Sequence, residues 1–119
     1  DILSFFDEKI KIAEKIGLNK NNIILDPGIG FGKRIEDNDK IILNLKKFKQ
    51  FDLPILIGLS RKSFLSIDND KPEYRLPSTL AATVLAIQNG ADILRVHDVL
   101  ETYKVIETLK RIEQLKSEN

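Results

Sequence analysis

Apolar side chains at Ile2, Phe5, Phe6, Ile10, Ala13 and Ile16 recur at helical spacing, and Gly17 stands where such a helix would stop. A short β-rich run follows, Asn22-Ile-Ile-Leu-Asp26, and Pro27 ends it because proline cannot continue a ladder. Gly28, Gly30 and Gly32 then mark a loop. The spacing of Ile41, Ile42, Leu45 and Phe48 predicts a second helix from about Asn38 to Phe48. Pro54 to Leu59 is a second short apolar run, and Ser66 to Arg75 is polar enough to predict an exposed loop. A third helix is predicted from Pro77 or Ser78 to Gly90, a third strand from Ala91 to Val96, and a last helix from Val99 to Leu115. The order is one helix followed by three strand–helix units, which predicts parallel strands joined by right-handed crossovers. The strands are apolar almost throughout, so both of their faces are expected to be covered.

Two helices differ in kind. Leu80, Ala81, Ala82, Val84, Leu85, Ala86 and Ile87 make the third apolar on most sides, which predicts burial in a larger body or an interface. Glu101, Lys104, Glu107, Lys110 and Arg111 give the last helix a solvated face with helix-spaced charge pairs.

Composition narrows the chemistry. The 119 residues suit one ordinary domain and not two. There is no cysteine, which excludes a disulfide framework, a zinc ribbon, a thiol nucleophile and an iron–sulfur site. His97 stands alone, which excludes a histidine-rich metal site. Nineteen basic residues against 18 acidic ones give a net charge of +1, so no electrostatic argument favours nucleic acid or an anionic membrane. No apolar run approaches the roughly 18 residues of a membrane span. The chain begins Asp1-Ile2-Leu3 without Met, which reads as a piece excised from a longer chain.

In parallel α/β folds the site lies at the carboxyl ends of the strands, and each predicted strand ends in polar chemistry. Asp26 fits either a cap or turn residue holding the loop that follows it or a carboxylate accepting two bonds from an amino-pyrimidine edge. The loop Gly28-Ile-Gly-Phe-Gly-Lys33 fails the dinucleotide pattern, because Lys33 stands where a third glycine is needed, and it fails the P-loop spacing. Phe31 fits a ring presented to a ligand as well as one tucked into the core. Ser60-Arg61-Lys62-Ser63 begins a helix or turn, where free N–H groups and the Ser63 hydroxyl attract a carboxylate or phosphate. Basic residues there oppose a helix macrodipole, which favours a functional reason for Arg61 and Lys62. Arg95 and His97, two apart on a strand, share a side and suit an anion; His97 also fits a purely structural role.

Three segments carry a resemblance. Ile24-Leu-Asp-Pro-Gly-Ile-Gly-Phe-Gly-Lys33, Ile57-Gly-Leu-Ser-Arg-Lys-Ser-Phe64 and Arg95-Val-His-Asp-Val99 resemble successive motifs of the dihydropteroate synthase family, with Ser78-Thr-Leu-Ala-Ala82 between the last two. The resemblance implies a (β/α)₈ TIM barrel, of which residues 1–119 would be the C-terminal part, with strands six to eight. Such a barrel needs roughly 250 residues, and three strands cannot close one. The implied reaction joins 4-aminobenzoate to the diphosphate ester of 6-hydroxymethyl-7,8-dihydropterin, releasing diphosphate. The resemblance assigns Asp26 to the pterin edge, Lys62 to the pterin ring, and Ser63, Arg61 and Phe31 to the aminobenzoate pocket. Arg95 and His97 would hold the leaving diphosphate, which makes Lys62, Arg95 and His97 the candidate catalytic residues. It further implies Mg²⁺ carried on the diphosphate with no protein ligand in this chain, a homodimer, a cytoplasmic setting and sulfonamides as inhibitors.

Two other classes compete. Pterin-binding methyltransferases share the barrel, but Ser-Arg-Lys-Ser and Arg-Val-His-Asp favour the synthase. A non-catalytic α/β assembly module of flavodoxin-like type fits three strand–helix units and leaves the polar strand ends unexplained. The reading adopted is a synthase-derived chain, inactive alone and prone to self-association.

Overall fold

A computed structural model describes residues 1–118; Asn119, the last residue of the predicted domain, lies outside them. Helix α1 spans Ile2–Lys15 and begins where the Asp1 carboxylate accepts a bond from the Ser4 N–H at 2.9 Å. Its buried anchor is Phe6, whose ring meets Phe48 and Phe51 edge-on at 5.5 and 6.1 Å. Helix α2 spans Ile35–Leu43, and a 3₁₀ stretch follows at Leu45–Phe51. The single helix expected from Asn38 to Phe48 is therefore two pieces. Asp37 accepts from the Arg34 N–H and starts α2 early, while Asn44 ends it by donating from its side chain to the Lys40 carbonyl. Helices α3, Leu76–Gln88, and α4, Val99–Gln114, lie close to their predicted bounds.

The parallel sheet is present but short. Strand β1, Leu56–Ile57, pairs with β2, Ile93–Leu94, in the register Leu56 with Ile93 and Ile57 with Leu94. The first predicted strand shrinks to one parallel bridge between Leu25 and Ile55. Pro27 and Pro54 flank that bridge and carry no N–H, so the pairing cannot lengthen there. The offset of 37 residues between β1 and β2 nevertheless persists beyond both strands. Ile55 with Asp92, Ser60 with His97 and Arg61 with Asp98 are all bonded at that same separation, through side chains. Side-chain rungs thus extend a two-residue ladder to about seven positions.

One face of this sheet is covered. Leu25, Ile55, Ile57 and Leu59 are buried on the helix side with Ile41, Ile42, Leu45 and Ala86. Alternation sends Ile24, Leu56 and Ile93 to the other face, where Ile24 is 52% and Ile93 36% exposed. The expectation that both faces are covered therefore fails within the described residues. The accessible surface of 8043 Å² is about a fifth above the roughly 6,600 Å² of a compact monomer of this mass. The radius of gyration, 15.8 Å, likewise exceeds the roughly 13.5 Å of a compact chain. Helix α3 buries its small residues Thr79, Ala82, Thr83 and Ala86, leaving Leu85 exposed. Among the described residues no helix is long and apolar enough to cross a membrane.

A charged latch closes the end of the sheet opposite the candidate site. Asp92 is bonded by the Lys49 ammonium and accepts from the Ile55 N–H at 2.9 Å. These two bonds, the first the larger, hold its carboxyl below the usual range against the opposing effect of burial. A carboxyl held low in the folded state stabilises it above the unfolded value, near 4, and stops doing so as pH falls through the lower folded value. Asp92 is partly exposed, so Asp92→Ala is expected to cost only about 0.5–1 kcal/mol at neutral pH. Thermal melts should show this difference at pH 7 and its disappearance toward pH 3.

Candidate functional site

The strand ends bring three predicted residues to one cavity. It measures about 250 Å³ and is lined by Gly58, Ser60, Lys62, Arg95, Val96 and His97. No carboxylate is among these residues. The register set by β1 and β2 places Gly58 beside Arg95 and Ser60 beside His97, on the uncovered face of the sheet. Gly58 matters for the room it leaves and not for backbone conformation. A Cβ there would lie 2.6 Å from Arg95 Nη2 and 2.9 Å from Nε, so the guanidinium lies against bare backbone.

Lys62 reaches the cavity from the β1 side and touches the glycine loop. Its ammonium donates to the Ile29 carbonyl at 2.5 Å and sits 4.9 Å from the centre of the Phe31 ring. Its stem passes so close to Gly30 that a Cβ there would lie 3.0 Å from Lys62 Cδ, and Gly30 also holds φ at +88°. Burial, and then the like charges of Arg95 and Lys33, push the Lys62 ammonium below the ordinary lysine range, while Asp26 opposes them.

The remaining predicted residues surround this group. Asp26 is exposed, and its Oδ1 accepts from the Gly28 N–H at 2.8 Å, which is the turn role. Its Oδ2 makes no hydrogen bond among the described residues, so the carboxylate keeps an edge to offer. Phe31 is 71% exposed, so the ring is displayed and not tucked into the core. Ser63 is exposed and starts a 3₁₀ turn, Ser63–Leu65, anchored by buried Phe64. A turn this short has little macrodipole, which weakens the helix-terminus argument for Arg61 and Lys62.

Arg61 is committed elsewhere than to Ser63. Its guanidinium makes a two-pronged bond to Asp98, at 2.9 and 2.5 Å. Its backbone sits at φ 54°, with the N–H donating to Thr79 Oγ1 and the carbonyl accepting from Arg75. Arg75 also grips Asp70, so the predicted loop of residues 66–75 is tied down at its end.

Sequence reasoning missed three residues that build the site. Gly58 lies in the second apolar run and Ser60 opens the Ser60-Arg61-Lys62-Ser63 segment, but the sequence assigns neither a partner. Asn38, 1% exposed, accepts from the Gly30 N–H at 2.7 Å and donates to the Arg34 carbonyl at 3.1 Å, holding the glycine loop against α2. Its signal was available, since a polar residue on the stripe of Ile41, Ile42 and Leu45 needs a partner.

Comparison with known proteins gives a consistent result. The family model described as pterin binding enzyme matches residues 1–97. The chain is 41% identical over 99 residues to a dihydropteroate synthase of Escherichia coli and 48% identical over 100 residues to one of Clostridium beijerinckii. Each match covers 82% of this chain, which spans only 35% and 37% of those relatives' lengths. A dihydropteroate synthase from Xanthomonas albilineans, solved in complex with 7,8-dihydropteroate, superposes with a TM-score of 0.91 at 36% identity. That match covers 94% of this chain and 44% of the solved one.

Proposed function

We infer the function of this chain from its family: it belongs to the pterin-binding enzymes. It supplies the C-terminal strands of a (β/α)₈ barrel, residues 1–119 forming part of that domain. The assembled enzyme makes 7,8-dihydropteroate from 4-aminobenzoate and the diphosphate ester of 6-hydroxymethyl-7,8-dihydropterin. The observation that carries this is the cavity at the strand ends, where Lys62, Arg95 and His97 meet without a carboxylate.

The chemistry follows from that lining. The aromatic amine forms a C–N bond to the pterin methylene and loses a proton, while the C–O bond to diphosphate breaks and its electron pair leaves with the anion. Arg95 and His97 neutralise the charge growing on that anion, and donors already in place do so at little reorganisation cost. Lys62 bonds the pterin ring, and its lowered proton affinity reflects how dry and cationic its surroundings are. The free Oδ2 edge of Asp26 receives the amino-pyrimidine. Phe31, Ser63 and Arg61 border the aminobenzoate, Arg61 by fixing the turn that presents Ser63.

Mg²⁺ is expected to travel with the diphosphate. Among the described residues no group of three or more His, Cys, Asp or Glu could hold a metal ion, and the cavity's donors are cationic or neutral. They do not fit a cation, so no step is derived through it.

The uncovered sheet face and the exposed Leu85 of α3 support self-association, with homodimerisation of the assembled enzyme. A cytoplasmic setting and inhibition by sulfonamides belong to the same proposal. The purified chain tests it. It is expected to bind inorganic diphosphate, to make no dihydropteroate, and to scatter light as more than a monomer at tens of micromolar. Absence of any diphosphate binding would remove the functional reading, and turnover by the chain alone would remove the need for further strands.

A further inference from the structure

His97 is the only histidine of the chain, and Ser60 stands beside it. Ser60 is 8% exposed, and its hydroxyl meets His97 twice. The His97 backbone N–H donates to Ser60 Oγ at 3.3 Å, and Oγ lies 2.9 Å from His97 Nδ1. A serine hydroxyl has one proton to donate and two lone pairs with which to accept. The backbone N–H occupies one lone pair. Among the described residues Ser60 Oγ makes no further hydrogen bond, so Nδ1 is the acceptor left for the hydroxyl proton. Were Nδ1 the donor instead, a nearly buried O–H would have no acceptor among the described residues, which is costly.

We propose that Ser60 is a positioning residue that holds His97 in the neutral tautomer with its proton on Nε2. Nε2–H is then the ring's donor to the cavity, beside Arg95 and Lys62. The use of that donor toward diphosphate rests on the functional reading above; the tautomer itself rests only on the hydrogen bonds. The arrangement gives the cavity a third donor without a third positive charge. That matters beside Arg95 and Lys62, because a charged imidazole would add to the repulsion Lys62 already carries. Ser60 and His97 also form one of the side-chain rungs at the 37-residue offset, so one hydroxyl, through two bonds, sets both the ring's place and its proton.

A single histidine makes the test direct. Nitrogen-15 shifts of the ring, read near pH 8 in the uniformly labelled chain, should show the proton on Nε2 alone, with Nδ1 as a hydrogen-bonded acceptor. Ser60→Ala should lose the acceptor shift at Nδ1 and weaken inorganic diphosphate about fivefold, the effect of one ordinary hydrogen bond. Ser60→Thr, which keeps the hydroxyl, should retain both properties. A proton on Nδ1 in the unaltered chain overturns the proposal, as does a ring spectrum unchanged by Ser60→Ala. Should Ser60→Ala fail to fold, the unaltered chain and Ser60→Thr still decide, since a proton on Nδ1 in either overturns it. If diphosphate does not bind while Nε2 carries the proton, the functional reading fails and the tautomer stands.

Discussion

Replacing Arg95 with alanine is expected to lower the rate of dihydropteroate formation by about 10²–10³-fold in the assembled synthase proposed above, the usual effect of removing a donor aimed at developing charge. Stability should barely move. Arg95 is exposed, its guanidinium rests against Gly58, and it makes no ion pair among the described residues. The loss should therefore appear in turnover and diphosphate affinity, with thermal unfolding shifted by no more than a few degrees. A second signature is electrostatic. Arg95 is the larger of the two like charges that depress Lys62, so its removal should let the Lys62 ammonium move back toward the ordinary lysine range. Gly58→Ala reaches the same group from the opposite side. The added Cβ has no backbone objection to meet, because φ at Gly58 is not left-handed. It would occupy the space of the guanidinium and push it off the sheet. Matching losses of diphosphate affinity in both variants, without matching losses of stability, would place the effect in the anion site. Equal loss of thermal stability in Arg95→Ala would make the residue structural.

Asn38→Ala should act on folding instead. The variant takes the acceptor from the Gly30 N–H and one of three donors from the Arg34 carbonyl, which keeps the Asp37 and Asn38 N–H groups, and it opens a small cavity. One partly buried group stripped of its partner, with the small cavity, costs about 1–3 kcal/mol, and a loss in that range is expected. That is a large share of the roughly 5–15 kcal/mol of an ordinary domain. Denaturant unfolding measures it directly. Asn38→Asp separates the two bonds, because a carboxylate still accepts from Gly30 but cannot donate to Arg34. A loss below about 1 kcal/mol would mean that Lys33 and Lys62, which also bond the glycine loop, are sufficient to hold it.

The contrast between these two positions shows what could be read in the chain before its structure. Arg95 and His97 stood out because two functional groups two residues apart on a strand must share a side. The parallel order of elements and the gathering of chemistry at the strand ends were legible for the same reason: both follow from local periodicity. Gly58 and Ser60 were not, since each matters through a partner 37 residues away, whereas Asn38, whose partners lie within eight residues, carried a signal in its polar place on an apolar stripe. Ser60 acquires its role only when the 37-residue offset brings His97 beside it. Arg61 stood out as a candidate site residue but not as the partner of Asp98, for that pairing also depends on register. Strand length was overestimated because apolar runs report burial, whereas ladder length depends on which N–H groups have a neighbour, and Pro27 and Pro54 remove two of them.

The uncovered face of the sheet has a calorimetric meaning. Water in contact with Ile24, Leu56 and Ile93 contributes heat capacity that a closed domain would have shed on folding. Any polypeptide that covers this face returns that water to bulk, so their association carries a negative heat-capacity change. Each roughly 1,000 Å² of ordinary protein surface so removed corresponds to about 0.15 kcal/mol per kelvin. The binding enthalpy of such a partner would therefore change steeply with temperature, growing more favourable on warming, although the contacts themselves stay the same.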